Sequence, residues 1–315
     1  MNRVMVTGAT GFLGRHVAEA LAARGLEVHA VARVIPRELA SPSTGVRWLA
    51  IDLLNSPSVY DLMADVRPHS LVHLAWTTTP GAYWTDPANE SWASASRTLF
   101  EAFSSHGGRR IVVAGTSAEY EWTSKATLDE ASSSIQPASL YGHSKNSLRL
   151  HLEAWAPQAG VSWAWGRLFN IYGRFENPKR LIPKTILSLL AGKPIPFDHG
   201  LLVRDFLHVA DAADAFATLS QHTYSGVVNI ASGEGVTIRE LLMIIAHHLG
   251  RADLVEFDTM AAHPSEPPYL VGSSQRLRDT VGWSPRLTLR QGLIQACEWW
   301  AVQRGIVTPS AEECK

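Results

Sequence analysis

A chain of 315 residues, 46% hydrophobic and 18% charged, can bury a core as one large domain or as a large and a small unit sharing one, which excludes a disordered chain. Its formal net charge of −1, with both signs scattered, gives no basic stripe to follow a phosphate backbone and so excludes nucleic acid as a partner. Apolar runs stop short of the roughly 18 residues of a membrane helix, no leader segment is expected ahead of the first strand, and Cys297 and Cys314 suit neither a disulfide framework nor a zinc knuckle. A cytoplasmic protein with no membrane partner and reduced thiols is expected.

Short β-rich runs near 2–7, 27–32, 46–50, 70–75, 110–115 and 161–167 alternate with helical patterns near 12–24, 57–66, 88–106 and 140–156. This order predicts an α/β fold, a Rossmann-type doubly wound parallel sheet. In the first helix Leu13, Val17 and Leu21 recur at four-residue spacing, and Gly25 stands where a left-handed cap is wanted. Past residue 170 the rhythm loosens into helices near 181–191, 210–221, 237–249 and 289–304, separated by loops such as GKPIPFDHG and HPSEPP. The expected division is a dinucleotide-binding domain over 1–170, also receiving a strand near 227–231, and a smaller, irregular C-terminal lobe over 171–315 that mainly binds substrate.

VMVTGATGFLG places Gly8, Gly11 and Gly14, with Thr10, Phe12 and Leu13, between a strand and a helix. There the backbone can approach a pyrophosphate and helix N–H groups face its charge. A glycine triplet alone also describes a plain tight turn; the placement after an N-terminal strand decides for a cofactor. The acid that binds an adenosine ribose in NAD-specific proteins belongs at the end of the second strand, where Ala32 and Arg33 stand instead. The donor fork of Arg33 suits a 2′-phosphate, so NADP(H) is the expected cofactor. Asp52, followed by Leu53 at the end of the third strand, can reach an adenine amino group or simply cap a loop.

Tyr141 and Lys145 in SLYGHSK are four apart and share a helix face. A nearby ammonium lowers a phenol's pKa and lets it exchange a proton during hydride transfer. Thr116 and Ser117 follow the strand RIVVAG, where α/β sheets bind ligands and a hydroxyl can polarise a carbonyl. A solvent-facing pair and a strand-end cap are the plain alternatives.

TGATGFLG, Thr116, YGHSK, GRLFNIYG at 166–173, VRDFLHVADAADAF at 203–216 and VGWSPRLTLRQGL at 281–293 together resemble the extended short-chain dehydrogenase/reductase family, in particular its nucleotide-sugar enzymes. The resemblance implies that Thr116 is the catalytic hydroxyl, with Ser117 as fallback, that Tyr141 is the acid/base, and that Lys145 also holds the nicotinamide ribose. It implies that Leu74, Ala75 and Trp76 pass beside the cofactor, with Trp76 in place of a small residue. It further puts Asn170 and Arg204 on a nucleotide diphosphate, Glu266 on its ribose with His263 nearby, and Tyr83, within WTTTPGAYW, in the sugar pocket. A homodimer pairing the helices near 88–106 and 140–156, anchored by Trp92 and Trp155, is also implied.

Family dehydratases carry an Asp–Glu pair directly after the catalytic Thr, where this chain has Ser117 and Ala118. Glu119 comes one residue late, and a one-residue shift in a strand turns a side chain to the other face. Both cysteines lie in the tail, which disfavours 3,5-epimerisation. His69 and His73 fall on a loop and a strand and no HExxH occurs, so no metal is expected. The expected activity is NADPH-dependent reduction of a 4-keto(-6-deoxy) nucleotide-sugar. The alternatives are a nucleotide-sugar 4-epimerase, a reductase of a non-sugar secondary-metabolite carbonyl, and a non-catalytic cofactor-binding regulator.

Overall fold

The computed structural model describes residues 3–39, 45–122, 126–260 and 266–305. Strand and helix alternate through its first half: β1 (Arg3–Thr7), α1 (Phe12–Ala23), β2 (Glu27–Ala32), β3 (Val46–Ala50), α2 (Ser56–Val66) and β4 (Ser70–His73). There follow α3 (Ala88–Ser105), β5 (Arg110–Thr116), α4 (Leu140–Trp155), β6 (Ser162–Leu168), β7 (Asn170–Tyr172), α5 (Leu181–Leu190) and β8 (Ile195–Pro196). The rest comprises β9 (Val203–His208), α6 (Val209–Gln221), β10 (Gly226–Ile230), β11 (Gly235–Thr237), α7 (Ile238–His248), β12 (Val255–Glu256), β13 (Tyr269–Leu270), α8 (Gln275–Val281) and α9 (Leu289–Gln303).

Seven strands form one sheet in the order β10-β6-β5-β4-β1-β2-β3, every neighbouring pair parallel. β4 and β5 are buried along their whole length, as strands covered on both faces must be. Side chains alternate between two cores. Val4 and Val6 of β1 join Leu13, Val17 and Leu21 of α1 and Phe216 of α6 on one side. Met5 joins Met63 of α2, Phe100 of α3 and Leu152 of α4 on the other. The strand order reverses between β1 and β4, which opens a crevice at their carboxyl ends.

β7, β9, β11 and β13 form a smaller sheet. Beside it α5, α7 and α9 enclose a third core around Ile186, Leu241, Ile245 and Leu293. Cys297 is a buried free thiol in that core; Cys314 and His263 lie outside the described residues. The strand expected near 227–231 does return to the main sheet, with Gly226–Ile230 pairing Ala164–Leu168 of β6. β9 and α8 were not expected from the pattern. No helix among the described residues is long and apolar enough to cross a membrane.

The two tryptophans named as interface anchors also pack within the chain. Trp92 is only 8% exposed and turned into the molecule, and Trp155 stacks between Phe100 and His151. Trp92 belongs to the core beneath α3, and Trp155 is half-buried at its border.

Candidate active site

The crevice widens into a cleft of about 1410 Å³ running from the β1–α1 loop to β9 and β13. Gly8, Thr10, Gly11, Phe12, Leu13 and Gly14 line one end. Gly8 has φ +68°, and a Cβ there would lie 2.8 Å from the backbone nitrogen of Ala75; a Cβ on Gly14 would run into the carbonyl oxygen of Gly8. The loop is thus pressed against the segment after β4, and α1 against the loop, with no room for side chains. Gly11 occupies the N-cap of α1 without a side-chain cap, which leaves first-turn N–H groups for an anion. Val31, Ala32, Ile51 and Leu53 supply an apolar wall further along, and Arg33 stands exposed at its rim. A dinucleotide fits this cradle. Asp52 is not among the residues lining the cleft: its Oδ1 accepts from the Leu54 N–H at 3.0 Å, and the residue is exposed.

At the centre, Thr116, Ser117, Tyr141 and Lys145 meet Leu74, Ala75 and Trp76. Helix α4 begins here because the Ser139 side chain accepts from the Gly142 N–H, an N-cap that presents Tyr141 in the first turn. Against the expectation that the lysine ammonium lowers it, burial holds the Tyr141 hydroxyl well above its ordinary pKa in the ligand-free protein, and the opposing effects come from a hydrogen bond with Thr116 and the charge of Arg180. Burial pushes the Lys145 ammonium down to about 7, opposed by Glu119. Its Nζ donates to the Ala114 carbonyl at 2.9 Å and lies 3.8 Å from the centre of the Trp76 ring. The indole is fixed in turn, its Nε1 donating to Asn89 Oδ1 at 2.7 Å. Trp76 is therefore the face on which the lysine charge rests. Behind them His73 bridges Thr7 and Ser96 at 2.7 and 2.8 Å. Burial, with Lys145 nearby, takes its pKa down to about 3 and keeps the ring neutral.

Glu119 stays off the cleft wall, but not through the alternation of a strand. β5 ends at Thr116, and Ser117–Glu119 form a 3₁₀ turn closed by a capping box with Thr116, so the two-residue period of a strand no longer applies. The carboxylate is fully buried. It accepts from the Thr116 N–H at 2.9 Å, Trp165 Nε1 at 2.8 Å and Arg167 Nε at 2.8 Å.

The far end is aromatic and then polar. Tyr83 meets Tyr141 edge-on with ring centroids 4.9 Å apart, and Trp84 meets Tyr141 and Trp122 edge-on. Arg180 stands 5.7 Å from the Tyr83 ring. Asn170 donates to the Asp205 carbonyl at 2.9 Å, while Arg204 pairs with Glu266 at 2.9 Å and donates to the Pro267 carbonyl at 2.7 Å. Apart from Asp52, every predicted site residue lines this one cleft. Sequence reasoning missed Trp122, Glu176 and Arg180, which come from loops with no periodic pattern. The only signal for the last two was their place just after GRLFNIYG.

A doubly wound sheet carrying a glycine cradle at its switch point defines a dinucleotide-binding α/β protein. The chain belongs to the NAD dependent epimerase/dehydratase family, whose model matches residues 4–231, within the extended short-chain dehydrogenase/reductases. It is 22% identical over 320 residues to the UDP-glucose 4-epimerase of Corynebacterium glutamicum, covering 95% of each chain. To the UDP-glucose 4-epimerase of Rhizobium leguminosarum bv. trifolii it is 25% identical, covering 95% of this chain and 97% of that one. Among solved structures, the Thermus thermophilus UDP-glucose 4-epimerase in complex with NAD is 28% identical, with a TM-score of 0.83 over 97% of this chain and 100% of that one. The dTDP-glucose 4,6-dehydratase of Bacillus anthracis str. Ames shares the fold at 20% identity, with a TM-score of 0.84 over 97% and 98% of the two chains.

Proposed function

We propose that the chain is a nucleotide-sugar 4-epimerase, which oxidises the sugar at carbon 4 and returns hydride to the opposite face of the resulting ketone. The observation that carries this is the central wall, where Thr116 and Tyr141 stand beside Ser117 and Ala118 while the Glu119 carboxylate is held inside the protein. One proton carrier and one hydroxyl suffice for oxidation and reduction at a single carbon, whereas eliminating water needs a further acid and base. The near full-length correspondence with 4-epimerases supports this over net reduction.

Gly8–Gly14 and Leu74–Trp76 would hold a nicotinamide dinucleotide, which would supply the hydride acceptor and donor. Tyr141 takes the proton of the carbon-4 hydroxyl and gives it back, Thr116 hydrogen-bonds that oxygen, and Lys145 holds the nicotinamide-side ribose. Tyr83, Trp84 and Trp122 offer flat apolar walls against which the ketone can turn. Asn170, Arg204 and Glu266 serve the nucleotide end. Residues 1–170 with β10 make the cofactor-binding part and 171–315 mainly the substrate-binding lobe. Pairing of the outer faces of α3 and α4, where Leu150 is 51% exposed, gives a homodimer. Net NADPH-dependent reduction of a 4-keto nucleotide-sugar is the second reading, favoured by Arg33 in place of a ribose-binding acid.

Purified protein with UDP-glucose or UDP-galactose and either oxidised cofactor is expected to interconvert the two sugars with no net change in reduced-nicotinamide absorbance. Tyr141→Phe should cut the rate by roughly 10²–10⁴ while keeping cofactor affinity. NADP(H) should bind more tightly than NAD(H), with Arg33→Ala selectively weakening the former. Stoichiometric NADPH consumption on a 4-keto sugar, without epimerisation, moves the assignment to the second reading. Formation of a 4-keto-6-deoxy product from an unmodified hexose nucleotide overturns both.

A further inference from the structure

Between β7 and α5 the chain passes through Phe175, whose backbone is left-handed at φ +66°, a conformation that a bulky residue adopts only where its surroundings impose it. They do so here. The Arg15 guanidinium lies 4.2 Å from the ring centre, Trp299 meets the ring edge-on at 4.9 Å, and His16 of α1 is tilted against it at 5.9 Å. The next residue, Glu176, is 9% exposed and lines the cleft. The backbone of Gly173 hydrogen-bonds its carboxyl, yet Oε2 has no hydrogen-bond partner among the described residues. Arg180 acts electrostatically on Glu176, Tyr83 and Tyr141 alike, which groups Glu176 with the aromatic, sugar end of the cleft.

A buried carboxyl oxygen without a partner disfavours folding. No ion pair within 4 Å is formed by Glu176 among the described residues, and it caps no helix there. Because Glu176 lines the cleft, a ligand seated there can supply the partner that the protein does not. We propose that Glu176 is a specificity-determining contact for the sugar, closing its free oxygen on a ring hydroxyl of the substrate; this rests on the nucleotide-sugar reading above.

The chemistry of the group favours a hydroxyl over a phosphate or a cation. A carboxyl repels a phosphate when ionised, and Arg180 beside it disfavours a second positive charge. Burial lifts its pKa to about 8, so at neutral pH it offers an O–H as well as acceptor oxygens, and a sugar hydroxyl can answer both.

Calorimetric titrations of UDP, UDP-glucose and UDP-galactose into the cofactor-loaded wild type, Glu176→Ala and Glu176→Gln test this, alongside melting of the ligand-free proteins. In Glu176→Ala the UDP-sugar affinity should fall about tenfold or more while that for UDP stays unchanged, the scale of one lost hydrogen bond that leaves a partner unsatisfied. Glu176→Gln, which keeps a donor and an acceptor, should stay within about threefold of wild type. Ligand-free Glu176→Ala should melt at or above the wild-type temperature, since it removes an unpartnered buried polar group, whereas Glu176→Gln, which keeps one, should melt near wild type. Wild-type UDP-sugar affinity in Glu176→Ala overturns the assignment. So does equal loss of UDP and UDP-sugar with a lowered melting temperature, the mark of a structural role. A wild type that binds UDP but gains nothing from any attached sugar overturns the nucleotide-sugar reading itself, and the Glu176 assignment with it.

Discussion

Tyr141 and Lys145 were legible as a pair because four-residue spacing puts them on one helix face. What rests on the lysine was not. Trp76 reaches Lys145 from the far side of the crevice, and nothing in local spacing announces a contact between segments so distant in the chain. The lysine also has a measurable effect on the ligand-free protein. Its folded pKa is about 7, against roughly 10.4 for an unperturbed lysine. From about pH 7 to 10 the unfolded chain therefore holds a proton that the folded one has released, so stability rises with pH across that window, and the penalty is full below it. Ligand-free Lys145→Met should be more stable than wild type at pH 7, with the gap closing as pH approaches 10, as read by denaturant unfolding at several pH values. A gap that does not change with pH would rule out the buried ammonium as its source.

At the level of elements, the alternation of strand and helix was readable because parallel strands are short apolar runs and their covering helices carry apolar stripes. The turn after β5 was harder. A strand's period was the wrong reason to keep Glu119 out of the cleft, because Thr116 caps a new turn at that point, and a capping box shows in sequence only when a helix is suspected behind it. The result is a structural carboxylate that ties the end of β5 to β6 through Trp165 and Arg167. Both partners of the ion pair are at most 2% exposed, so removing one leaves the other charged and dry. Glu119→Ala is expected to cost about 3–5 kcal/mol, and the double change with Arg167→Met should recover much of it. Chemical denaturation of the single and double variants reads this directly; additive losses would mean that the pair is not the cause.

For the whole molecule, the sheet and the cofactor cradle were predictable from residues near one another in sequence, and the second lobe was not, since its cleft-facing loops carry little periodicity. The order in which the chain visits the two parts has a practical outcome. After leaving the sheet at β6 it builds part of the lobe, comes back as α6 and β10, and later places Leu277, Val281 and Trp283 against the same core as α1. Recombination at a single crossover near residue 170 would set a foreign strand and foreign core residues against β6 in place of β10, beside Trp163 and Trp165, which are 7% and 0% exposed in the intact chain. Such a chimera should be recovered as aggregate in size-exclusion chromatography. One that keeps the host's 209–230 and 275–283, and grafts only the intervening segments, should run as a discrete species. Exchange of substrate specificity in this scaffold thus has to proceed by insertion between retained host segments, in the manner of a splice, because the chain crosses between its two parts more than once.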